Sequence, residues 1–238
     1  FDLANRAEIA SSEYAFVDAE PANNASAVTV TVDGLPPLAP TLQSPAHGTI
    51  VSSTTSKLMW LASPSSDVAG YLLDWNGATM DVGNVTHYTT TMGADGTYTW
   101  TVAAYDALRN TSSFTDVWTL SLDTAPPEVL ATLPVSGTED VEIDAPVMIT
   151  FSEIIDTDSF IYALAPDPGG RAENWDGARM VVTLSHADFE AGTLYTVTVT
   201  SAADLAGNPL SAAPHTCRFT TQVAYTYIYL PLVTRNQS

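Results

Sequence analysis

The feature that most constrains this chain is that it repeats itself at the length of one small β-sandwich. DGLPPLAPTLQSPAHG (33–48) returns as DTAPPEVLATLPVSG (123–137), about 90 residues later. GTYTWTVAAYDALRN (96–110) returns as GTLYTVTVTSAADLAGN (192–208): a Gly-Thr turn, an aromatic-rich stretch, then an Asp-x-x-x-Asn loop. Paired prolines cannot sit in a central strand and they hold the chain extended, so each Pro-Pro is a natural linker. An interval of this size is that of one small β-sandwich.

Between these landmarks the pattern is that of strands. AVTVTV (27–32), THYTTTM (86–92), TYTWTV (97–102), PVMITF (146–151) and LYTVTV (194–199) alternate with period two, and no long stretch carries a helical stripe. The expected fold class is all-β, with antiparallel β-sandwiches in tandem. The boundaries that follow are a partial domain at 1–34 holding terminal strands only, domains at 35–124 and 125–222, and a tail at 223–238. The first segment offers two strands, ANRAEIAS and ASAVTVTV, which are too few for a core of their own.

Composition narrows the function classes. Of 238 residues, 27 are Asp or Glu and 7 are Lys or Arg, a formal net charge of -20. Phosphate recognition needs clustered cations, so this chain is not a nucleic-acid binder. With 14% charged and 45% hydrophobic residues it is nonetheless a core-forming chain. The single Cys217 excludes an internal disulfide framework and any multi-cysteine metal site. No apolar run is long enough to cross a bilayer as a helix. Phe1 opens directly onto folded-looking sequence without a signal peptide, so the chain is expected to be cut or processed from something longer.

Three family resemblances rest on quoted residues. Residues 35–124 resemble a bacterial fibronectin type III-like module, with LMWLASPSSDVAGYLLDW as its Trp-bearing second and Tyr-bearing third strands and GTYTWTVAAYDALRNTS as its sixth strand and following loop. Residues 125–222 resemble the bacterial Ig-like domain of S-layer and other surface proteins, through APPEVLATLPVSG, ITFSEIID, GTLYTVTV, DLAGNPL and RFTT in the family's order. The stub, through NRAEIAS and NNASAVTVTV, is similar to the last third of a repeat of large bacterial surface proteins. The resemblances imply an extracellular or cell-surface bacterial protein and bring no catalytic residues with them.

The candidate chemistry is sparse. There is no G-x-S-x-G or H-E-x-x-H motif, and His47, His87, His186 and His215 are scattered. Glu153, Asp156 and Asp158 are the local carboxylate pairs, which short spacing alone does not turn into a glycosidase site. Cys217 reads as a small buried hydrophobe on the last strand. Lys57 is the sole possible isopeptide donor and is expected to face solvent. Sequons at Asn24, Asn84, Asn110 and Asn236 mark loops at most. Calcium is the one cofactor considered, with Asp123 in the linker, Asp106 with Asn110, and Asp204 with Asn208 as ligands. An Asp and an Asn at that spacing equally cap a tight turn through side-chain to backbone bonds. Trp60 and Trp100 match core positions, whereas Trp75, Trp118 and Trp175 are the candidates for a carbohydrate platform.

The tail VAYTYIYLPLV (223–233) has no charge in eleven residues. As a strand it is apolar on both faces, which calls for burial on both sides or a partner along its edge. It resembles short YLPLV-type endings of secreted proteins of some filamentous bacteria. Tyr225, Tyr227, Ile228, Tyr229, Leu230 and Leu232 are the candidate assembly residues, either folded back on the last domain or adding a strand to a neighbouring subunit. The expected function is a non-enzymatic structural segment of a bacterial surface protein, self-associating into a filament or contacting other surface proteins. The alternative is an accessory spacer or carbohydrate-binding region of a secreted hydrolase.

Overall fold

The structure, a computed structural model, describes residues 2–8, 25–31 and 33–223. Two compact units divide the chain: residues 1–47, 56–90 and 98–119, and residues 48–55, 91–97 and 120–238. The stub contributes one antiparallel pair, β1 (Asp2–Glu8) with β2 (Ala25–Thr31), in register from Asp2 opposite Thr31 to Glu8 opposite Ala25.

Residues 41–122 form eight strands: β3 (Thr41–Ser44), β4 (Thr49–Val51), β5 (Thr55–Leu61), β6 (Val68–Trp75), β7 (Ala78–Gly83), β8 (His87–Thr91), β9 (Gly96–Asp106) and β10 (Trp118–Leu122). They make a three-stranded sheet, β3-β5-β8, and a five-stranded sheet, β4-β10-β9-β6-β7. Period-two alternation turns Leu58 and Trp60 of β5 inward, with Lys57 exposed between Ser56 and Leu58. Tyr71 of β6 meets the Trp60 ring edge-on, centroids 5.8 Å apart, and its hydroxyl accepts the Ser63 N–H at 3.0 Å. Alternation ends in β9, where Trp100 to Asp106 are all buried. The strand is covered twice there, because residues 111–117 return along it: Ser112 N–H donates to the Ala104 carbonyl and the Thr101 hydroxyl to that of Thr115.

Residues 129–221 form β11 (Val129–Leu133), β12 (Thr138–Val141), β13 (Val147–Phe151), β14 (Ile161–Ala165), β15 (Ala172–Trp175), β16 (Val181–Ser185), β17 (Leu194–Ser201) and β18 (His215–Thr221). Two four-stranded sheets, β11-β13-β16-β15 and β12-β18-β17-β14, face each other. Their core joins Val147, Ile149, Phe151, Val182 and Leu184 from one to Leu164, Tyr195, Val197, Val199, Cys217 and Phe219 from the other. Tyr195, near the start of β17, accepts the Glu190 N–H through its hydroxyl at 3.0 Å, the hydrogen-bonding pattern of a sandwich tyrosine corner.

The repeated Pro-x-x-Gly-Thr of SPAHGT and LPVSGT marks a switch of sheet. After β3 the chain bends at Gly48 (φ 79°) so that β4 joins β10 in parallel. After β11 it bends at Gly137 (φ 90°) so that β12 joins β18 in parallel. Only glycine takes that left-handed backbone without strain.

Candidate functional site

The second repeat places the same hydrogen-bonded loop in each unit. In the first, both Asp106 oxygens are occupied: Oδ1 accepts the N–H groups of Leu108 (2.8 Å) and Asn110 (2.9 Å), and Oδ2 accepts Asn110 Nδ2 at 2.7 Å. In the second, Asp204 Oδ1 accepts the Asn208 N–H (2.8 Å) and Oδ2 accepts Asn208 Nδ2 at 2.7 Å. Main-chain bonds close both loops, from Asp106 N–H to the Asn110 carbonyl and from Asp204 N–H to that of Asn208. The fourth residue of each is left-handed, Arg109 at φ 67° and Gly207 at φ 87°. Both aspartates are buried, at 2% and 3% exposure, and such burial requires this degree of satisfaction. Burial pushes the Asp106 carboxyl up, and the Asn110, Leu108 and Arg109 hydrogen bonds bring it to a net position below its ordinary value.

Each asparagine has a second N–H, and in both units it reaches the linker. Asn110 Nδ2 donates to the Asp33 carbonyl at 3.0 Å, and Asn208 Nδ2 to the Asp123 carbonyl at 2.8 Å. The linker aspartates form Asx turns into the prolines, Asp33 Oδ1 accepting from Leu35 and Asp123 Oδ1 from Ala125. The sequence-predicted residues therefore come together as two sets, Asp106 with Asn110, and Asp123 with Asp204 and Asn208.

Around each seam stands a third carboxylate. Asp33, Asp67 and Asp106 form one triad and Asp123, Glu153 and Asp204 the other, each residue offering an oxygen within 4.8 Å of the others. Burial, then the charges of Asp123 and Asp204, push the Glu153 carboxyl up. Asp33 was open to sequence reasoning, since DGLPP matches DTAPP; Glu153 was singled out only as a local partner of Asp156, and Asp67 carries no sequence signal. Asp156 stands apart from them and caps the 3-10 turn Thr157–Ser159.

The other candidates are engaged in packing. Trp60 and Trp100 are buried as expected. Trp75 stacks on Tyr98 with planes 6° apart, Trp118 meets Trp100 edge-on, and Trp175 packs between Phe151 and Phe160. Cys217 is buried; its thiol accepts from the Thr132 hydroxyl and donates to the Pro134 carbonyl. Tyr225, Tyr227, Ile228, Tyr229, Leu230 and Leu232 lie outside the described residues.

With this geometry in view, the comparison with known families bears on the second unit, because its matched stretch opens on the fastened linker residue Asp123. Residues 123–221 match the bacterial Ig-like domain family. The Ig-like segment is less than half of the chain, and it contains the Asp204–Asn208 loop, the Glu153 triad and the whole of the β11–β18 core. Among curated proteins nothing matches the chain. Among solved structures the chain is similar to the fibronectin(III)-like modules of Clostridium thermocellum CbhA, at 11% identity and TM-score 0.39 over 80% of this chain and 100% of that one. It is similar to the FN1–FN3 domains of chicken CNTN1, at 16% and 0.41 over 83% and 69%. A third is the D00-D0 domain of intimin, at 11% and 0.34 over 76% and 98%. Among the described residues no helix is long and apolar enough to cross a membrane.

Proposed function

We propose that this chain is a non-enzymatic structural segment of an extracellular bacterial surface protein, built of sandwiches strung in series and self-associating through its tail. The observation that carries this reading is the recurrence of one seam. Two loops that share only their Asp and Asn, DALRN and DLAGN, spend buried carboxylates on holding the chain that leads into each unit. Buried charge used in this way serves position, since every oxygen of Asp106 and Asp204 is already an acceptor within its own loop.

Calcium at the two seams belongs to the same proposal. Three hard oxygen donors stand close at each, and the Glu153 carboxyl, raised by burial and then by the charges of Asp123 and Asp204, stands in negative surroundings that a divalent cation would relieve. Thermal melts of the intact chain in calcium chloride and in chelator check this. A higher Tm in calcium, with heat of binding on titration, is the expected outcome; identical melts and no heat would remove the ion. Turnover of a polysaccharide by the purified chain would overturn the non-enzymatic reading itself.

A further inference from the structure

We infer that Asn110 and Asn208 are fasteners, each forming with its aspartate a built site for one main-chain carbonyl of the segment that enters the sandwich. A primary amide has two N–H donors, and here both are committed. One is anchored on a buried carboxylate at 2.7 Å in both units, which fixes the amide plane. The other then points at the carbonyl of Asp33 or Asp123, the residue directly before Gly-Leu-Pro-Pro or Thr-Ala-Pro-Pro. A charge-assisted anchor on the buried side makes the outward bond a positioned one.

The proline pairs are stiff and have no N–H to give, so they attach only through their carbonyls, as Pro127 does in accepting the Ser211 N–H at 3.0 Å. The fastener adds a hold three residues upstream of the first proline, at the carbonyl of Asp33 or Asp123. Its partner is chemically undemanding, a bare carbonyl in an extended chain, so any preceding segment with that backbone can be held. The inference does not depend on calcium or on the tail.

Hydrogen exchange on the full chain tests it, with Asn208→Ala and Asn110→Ala as separate variants. In N208A the amides of Asp123, Ala125 and Glu128 should exchange at least ten-fold faster, while those of β13 and β17 keep their protection. In N110A the same should hold for Leu35 and Leu38, with Asp123 and Ala125 unchanged. Unchanged exchange in the leading segments would overturn the inference. So would a uniform rise through β13 and β17, because the asparagine would then be supporting the whole sandwich. Each variant is the control for the other should one fail to fold.

Discussion

At the scale of single residues, Asp81 on β7 is a strongly perturbed group. Its carboxyl is held down to about 2, first by the Arg109 guanidinium at 2.8 Å, then by the Gly83 N–H and the Tyr105 hydroxyl. Arg109 also lies 4.1 Å over the Tyr105 ring, and Tyr105 fills the space beside Gly70, where any Cβ would overlap its hydroxyl and ring. Tyr105 is pushed up by burial and by its bond to Asp81, so the phenol stays a donor across the ordinary pH range. Because the Asp81 pKa is lower folded than unfolded, the stability it contributes is complete above about pH 4 and is lost as pH falls toward 2. Arg109→Ala should therefore lower Tm most at neutral pH, with the gap to the wild type narrowing steadily between pH 4 and 2. Melts across that range check it; a gap constant with pH would show that Arg109 acts only by packing on Tyr105.

At the scale of elements, the strands whose alternation is strong were legible in the sequence, and β9, β13 and β17 stand where TYTWTV, PVMITF and LYTVTV place them. Less legible were β4 and β15, with three and four residues, since so short a run shows no period. The Asp-x-x-x-Asn spacing pointed to the loop, and its turn-capping bonds are those such a spacing allows. Its link to the linker carbonyl was not legible, because a bond spanning 77 residues in one unit and 85 in the other leaves no local pattern. Asp67, and the grouping of Glu153 with Asp123 and Asp204, escaped for the same reason. Cys217 was legible as a buried residue, and the structure adds that its thiol ties β18 to the end of β11. Cys217→Ala should cost about 1 kcal/mol, read from the midpoint of denaturant unfolding. In the wild type, a thiol reagent should reach Cys217 only when β18 opens, at least a hundred-fold slower than in denaturant. Fast labelling of the native protein would place β18 among the frayed elements.

At the scale of the whole molecule, charge and tail oppose each other. Twenty excess negative charges keep like chains apart, and at low salt that repulsion reaches tens of ångströms, about 30 Å at 0.01 M against about 8 Å at 0.15 M. The run 223–233 carries no charge, and hydrophobic contact between tails is not weakened by salt. The proposed self-association through the tail should then strengthen as salt rises from roughly 0.01 to 0.15 M, the reverse of assembly by ion pairs. Sedimentation of the full chain and of one lacking 223–238 at both salt levels measures this. The expected result is a mass that grows with salt in the full chain alone. If both forms grew alike, the contact would lie on the sandwiches. If the full chain stayed monomeric at every salt concentration, the tail would have no role in joining chains.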